Sequence, residues 1–157
     1  MSVASINDIR KEVLTLDSKS LQLLCLRLAR YKKENKELLN YLLFEAQDET
    51  GYIQSVKAEI EEMFEEVAHK NLYLAKKVLR KILRYANRQI KYSGLPQTDL
   101  EIRIYFCEKM LAQHLPLTTG TVLYNLYQQQ LKKIDSVLAK LPEDEQGDYT
   151  RAIKKIS

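Results

Sequence analysis

Residues Asn71–Glu101 read NLYLAKKVLRKILRYANRQIKYSGLPQTDLE, and this stretch decides the fold. Asn71 is of a type whose side chain accepts from the free N–H groups of a first helical turn. Beyond it Ala75, Val78, Leu79, Ile82, Ala86 and Ile90 recur at three- and four-residue intervals, the spacing of one helix face. Gly94 then suits the left-handed residue that ends a helix, and Pro96 bars its continuation. Thr98-x-x-Glu101 has the form of a capping box and opens another helix. The stretch predicts a helix over 71–93, a tight turn, and a second helix from about 98.

The flanks read in the same way. Ser5 with Asp8 makes a variant capping box for a short helix carrying Ile6, Ile9, Val13 and Leu16. Asp17 or Ser18 caps the next, in which Leu21, Leu24, Cys25 and Leu28 form a stripe that Leu23 and Leu26 extend around most of the circumference. A helix apolar on all sides is expected to be buried. After a polar break at Lys32–Lys36, Leu38, Leu39, Leu42, Leu43 and Phe44 form a third helix, closed at Asp48-Glu-Thr-Gly51. A fourth is predicted over about 52–68, with Ile53, Val56, Ile60, Phe64 and Val67 inward and an acidic outer face. On the C-terminal side, Leu100, Ile104, Cys107, Leu111 and Leu115 make the stripe of the helix that Pro116 closes. Thr118 or Thr119 opens a helix to about Leu141, and Pro142 begins an acidic link to a short terminal helix holding Tyr149, Ile153 and Ile156.

The sum is an all-α fold, a single helical domain over 1–157 of seven to eight helices. Loops of two to six residues fit an irregular antiparallel bundle or a short stack of αα-hairpins. Repetition would separate the two, but only Leu28-Ala-Arg30-Tyr31 is echoed, by Ile82-Leu-Arg84-Tyr85, which is too little for a repeat. Four Gly and three Pro among 157 residues leave little room for a sheet. Cys25 and Cys107 lie within apolar helical stretches without metal or redox spacing, so both are expected to be reduced core residues. No basic segment followed by an apolar one opens the chain, and no apolar run approaches the ~20 residues of a membrane span. A cytoplasmic location and no membrane partner are the expectation.

Ile9-Arg-Lys-Glu-Val-Leu14, Leu21–Tyr31 and Lys33-Glu-Asn-Lys-Glu-Leu-Leu39 together resemble the start of small all-helical bacterial families of uncharacterised function. The resemblance covers roughly the first 40 residues. It implies a helical fold and carries no activity with it.

Charge is unevenly distributed. Residues 1–69 hold 9 Lys/Arg against 13 Asp/Glu, and residues 70–157 hold 16 against 8. Along the helix over 71–93, at 100° per residue, Lys77, Lys81, Arg84, Arg88 and Lys91 fall with Lys70 within about 80° of one another, opposite the apolar face. Lys76 and Arg80 widen the ridge, and residues 70–92 contain no acidic side chain. Basic residues one turn apart can track phosphates, and arginines beside Tyr73, Tyr85 and Tyr92 can stack on bases. The competing account is a salt-bridged surface, because Glu59, Glu61, Glu62, Glu65 and Glu66 occupy the preceding helix. A second pattern, Tyr124, Tyr127, Leu131, Ile134 and Leu138 continued by Leu141, is a narrow heptad seam. It suits packing within the domain or an interface with a partner or a second copy.

Catalytic constellations are missing. Glu66-x-x-His69 has the spacing of half a di-iron ligand set, but His114 is preceded three residues earlier by Leu111, so no second pair exists and no metal is expected. Cys107 and His114 stand two turns apart, about 10 Å, too far for a nucleophile and its base. No glycine-rich loop cradles a phosphate. With no catalytic residue and no cofactor, the sequence predicts a non-enzyme: a helical interaction or scaffold module that binds a protein partner or itself. The alternative is a nucleic-acid-associated protein using the basic face of 71–93.

Overall fold

The computed structural model describes all residues, Met1–Ser157, and contains eight α-helices and no strand. They are α1 (Ile6–Leu14), α2 (Ser18–Tyr31), α3 (Lys33–Asn40), α4 (Glu49–Phe64), α5 (Leu72–Ser93), α6 (Pro96–Ala112), α7 (Val122–Leu138) and α8 (Glu143–Ile156). A single π-helical turn, Tyr41–Glu45, follows α3. Contacts group the residues into two compact units, Met1–Phe44 and Glu45–Ser157.

In the first unit the caps are those the sequence predicts. The Ser5 hydroxyl accepts from the Asp8 N–H, and the Asp8 carboxylate accepts from the Ser5 N–H, completing the capping box of α1. Asp17 accepts from the Ser20 N–H at the head of α2. Packing is where the expectation fails. The leucine-rich α2 has no buried residue, and neither α1 nor α3 has one. α2 packs along α3, while α1 packs closely on no other helix. Three short helices supply too little chain to wrap the circumference of α2, and its leucines stay in water.

The second unit has a core. α6 lies at its centre and touches α4, α5, α7 and α8. Burial on every side explains why its side chains ignore a single stripe: Ile102, Phe106 and Met110 are enclosed together with Leu100, Ile104 and Cys107. Leu111, predicted on the stripe, is at the exposed edge instead. A helix that touches elements beyond its sequence neighbours distinguishes an irregular bundle from a solenoid. The inward set Ile53, Val56, Ile60, Phe64 and Val67 is buried as predicted.

Helix ends account for most of the remaining differences. α4 begins at Glu49, not near 52, because the Asp48 carboxylate caps it through the Gly51 N–H at 3.0 Å. Gly51 therefore lies in a first turn and does not end the previous helix. α6 begins at Pro96, whose missing N–H and fixed φ suit the first helical position. Thr98 is consequently inside the helix, where its hydroxyl donates to Glu49 Oε1 at 2.5 Å and forms no capping box. The Ser93 hydroxyl donates to the same oxygen at 2.5 Å, so one carboxylate ties the head of α4 to the end of α5 and the first turn of α6. Gly94, at φ 69°, ends α5 in the predicted left-handed conformation. α7 is capped by Thr121, later than Thr118 or Thr119, and the acidic residues after Pro142 form the first turn of α8, where they complement the helix dipole.

Candidate functional site

The basic face of α5 is laid out as its periodicity predicts. Asn71 accepts from the Leu74 N–H and starts the helix. Ala75, Leu79, Ile82, Ala86 and Ile90 then face the core. That orientation leaves Lys77, Lys81, Arg84, Arg88 and Lys91 exposed. Lys77, Arg80, Lys81 and Arg84 line a shallow depression around Val78.

The acidic helix neutralises this ridge at one point only. Tyr52, at the head of α4, donates to the Gln89 carbonyl at 2.9 Å near the end of α5, so the two helices run antiparallel. Lys81 Nζ then lies 3.2 Å from Glu66 Oε2, both side chains more than half exposed. An exposed pair of this kind contributes ~0.2–1 kcal/mol. Glu61 turns instead to α6, where Lys109 donates to it at 2.6 Å and the Tyr105 hydroxyl at 3.2 Å. Hydrogen bonding from Lys109, then from Tyr105, holds its carboxyl below the usual 4.5. Lys77, Arg80, Arg84, Arg88 and Lys91 form no ion pair. The tyrosines are less free. Lys77 and Lys76 ammonium groups stand 5.0 and 6.0 Å from the Tyr73 ring centre, and Tyr85 and Tyr92 are half-buried. The ridge thus presents a row of exposed charges more than a set of free aromatic faces.

The seam of α7 is spent inside the bundle. Tyr127 and Ile134 are buried, and Tyr124, Leu131 and Leu138 are partly covered. The Tyr127 hydroxyl donates to the Ile156 carbonyl, fastening the end of α8. Burial pushes that phenol up to about 12. Of the set Tyr124, Tyr127, Leu131, Ile134 and Leu138, two side chains thus pack within the domain and three keep a partly exposed edge.

An anchor that sequence reasoning missed lies on α6. Arg103 is 9% exposed and donates to Asp99 at 2.5 Å, to Asn87 at 3.0 Å and to Gln130 at 2.9 Å, joining α5, α6 and α7. Its signal was present: Arg103 falls between Leu100 and Cys107 on the apolar stripe, with Asp99 one turn before it.

The chemical candidates come apart. Burial pushes the Cys107 thiol up to about 12, which keeps it protonated and unreactive. His114 lies beyond α6 with φ 53°, and His69 lies beyond the end of α4, so Glu66 and His69 do not share a helix face. No group of three His, Cys, Asp or Glu side chains is gathered to hold a metal ion. No helix is long and apolar enough to cross a membrane.

The largest anomaly is the surface of the first unit. Leu23, Leu24, Leu26 and Leu28 on α2 are exposed, as are Leu38 on α3 and Leu42, Leu43 and Phe44 after it. Leu28 is 54% exposed and Phe44 65%. Between α2 and α3 runs an apolar groove of about 200 Å³, lined by Cys25, Leu28, Ala29, Leu38, Leu39 and Leu42. At its rim the Asn35 amide donates to the Leu28 carbonyl at 2.8 Å. Scattered apolar residues are ordinary on a protein surface, but here Leu24, Leu28, Tyr31, Leu38 and Leu42 line two depressions that meet at Leu28. Leu23, Leu24, Leu26 and Leu28, with Cys25 among them, expected in the core from the sequence, are exposed because no other element of the chain covers them. No family model, curated protein or solved structure matches this chain.

Proposed function

We propose that the chain is a non-catalytic helical interaction module that docks a protein partner or a second copy of itself through the apolar surface of α1–α3. The observation that carries this is the absence of any buried side chain on three helices, one of them with leucines around most of its circumference. Water is an unfavourable environment for such a surface, and a partner that covers it gains ~25 cal/mol per Å². The bundle of α4–α8 has its own core and gives the module a stable body. The free cysteines Cys25 and Cys107 accord with a reducing, cytoplasmic setting.

The test is dye binding with sedimentation. The native chain should either enhance the fluorescence of anilinonaphthalene sulfonate or sediment as an assembly. The double variant Leu24→Glu, Leu28→Glu should do neither while keeping its helical circular dichroism. A native monomer that leaves the dye dark removes this reading.

A second reading is supported by the exposure of the α5 ridge, of whose seven basic residues Lys81 alone is ion-paired. On this reading Lys77, Lys81, Arg84, Arg88 and Lys91 contact the phosphates of a nucleic acid. Five such contacts on a duplex give a log–log slope of affinity against salt of about −4.5. Arg84→Glu with Arg88→Glu should abolish the binding without unfolding α5. Absence of binding at low salt eliminates it.

A further inference from the structure

We propose that the apolar surface of α2 and α3 is a self-association face, covered by α2 and α3 of a second copy in a two-fold four-helix arrangement. This rests on the reading that the surface docks a partner, and it names the occupant. Two helices packed side by side bury one seam and leave their outer faces in water. Two such pairs supply four helices, the smallest number that encloses a core of its own. The groove between α2 and α3, lined by Leu28, Leu38 and Leu42, offers apolar side chains to a ridge of an equivalent helix.

Area and charge favour a second copy. From Leu23 to Phe44, nine large apolar side chains are between 38% and 76% exposed. Each covers roughly 60–120 Å² when fully enclosed. Five of them, Leu24, Leu28, Tyr31, Leu38 and Leu42, line two depressions that meet at Leu28, and the part these leave in water is roughly 160–320 Å², the apolar centre of an interface whose rim is polar. The first 44 residues intersperse eight basic with five acidic side chains. Arg27, Arg30 and Glu34 form no ion pair within the chain. In a two-fold contact each pairing occurs twice, so arginines on one α2 and Glu34 on the opposing α3 meet in both directions. An anionic lipid surface or an acidic partner would leave Glu34 facing like charge.

Cys25 reports on this face directly. It is exposed and lines the groove, whereas Cys107 is buried and its thiol is pushed up to about 12, so alkylation reads Cys25 alone. The experiment is sedimentation of the full-length chain over a concentration series, with maleimide labelling of Cys25 followed by mass spectrometry in the same samples. The mass should rise from one chain to two as concentration increases, and Cys25 labelling should slow in step. Leu24→Glu with Leu28→Glu should weaken dissociation constants by on the order of a hundredfold or more and restore fast labelling. The labelling arm needs no variant, so it stands even if the double variant folds poorly. A dimer whose Cys25 labels as fast as in the monomer uses another face and overturns the proposal. A strict monomer that binds the dye also overturns it while leaving the docking surface in place, and a strict monomer dark to the dye removes both.

Discussion

In dilute solution, backbone amides of α2 and α3 are expected to exchange with deuterium several orders of magnitude faster than those of α6. Exchange requires a hydrogen bond to open, and the cost of opening is what the surrounding packing supplies. Leu100, Ile102 and Phe106 on α6 are 0% exposed and held by four neighbouring helices, so their amides open only when the bundle unfolds. For a domain of ordinary stability, ~5–15 kcal/mol, that corresponds to protection of about 10³-fold or more. α2 has 14 residues and α3 has 8, with no buried side chain in either. Isolated helices shorter than ~12–15 residues are marginal in water, so these open locally at little cost. Mass spectrometry of peptic fragments reads the contrast directly. Protection of α2 equal to that of α6 in a dilute monomer would mean that the first unit has a core after all. On the proposed self-association through α2 and α3, raising the protein concentration should slow exchange in those helices while leaving α6 unchanged.

The same contrast explains which parts of the fold were legible in the sequence. Helix existence and most caps are local facts: Ser5, Asp17 and Asn71 each accept from an N–H three residues on, and Gly94 takes a conformation few other residues adopt. The inward faces of α4 and α5 follow from period alone. Burial of a helix that is apolar all round requires something to surround it, and the sequence does not say whether the same chain supplies that. α6 and α2 are both rich in apolar residues away from any one stripe. One is enclosed by four helices, and the other packs closely only along α3. Thr98 shows the same limit at smaller scale: its spacing to Glu101 fits a capping box, but Pro96 starts the helix first and Glu49 takes the hydroxyl. The ridge on α5 was legible because an apolar face fixes its opposite. The extent of its neutralisation was not, since that depends on Glu61 turning to Lys109 and away from α5.

Arg103→Ala is expected to destabilise the bundle by about 3–5 kcal/mol, the range for removing one partner of a buried ion pair. The loss comes less from the missing attraction than from what stays behind. Asp99 keeps a charge that is only 20% exposed, and Gln130, 2% exposed, loses the donor its side-chain oxygen accepts from. Arg103→Lys should recover part of the loss but not all of it. A single ammonium group cannot present the planar fork that reaches Asp99 through one edge and Asn87 and Gln130 through another. Urea unfolding followed by circular dichroism measures both, as a shift of midpoint at unchanged slope. The order wild type, Arg103→Lys, Arg103→Ala is the expected one, and a loss under about 1 kcal/mol for Arg103→Ala would class the pair with exposed ones. Asn87 lies between Arg84 and Arg88 on α5, so the bond from Arg103 fixes the rotation of that helix about its axis as well as its distance from α6. A buried charge that holds Asn87 inward thereby holds Arg84 and Arg88 outward. Any partner of the basic ridge should be weakened by Arg103→Ala under conditions where the chain is still folded, although Arg103 itself is too deep to touch that partner.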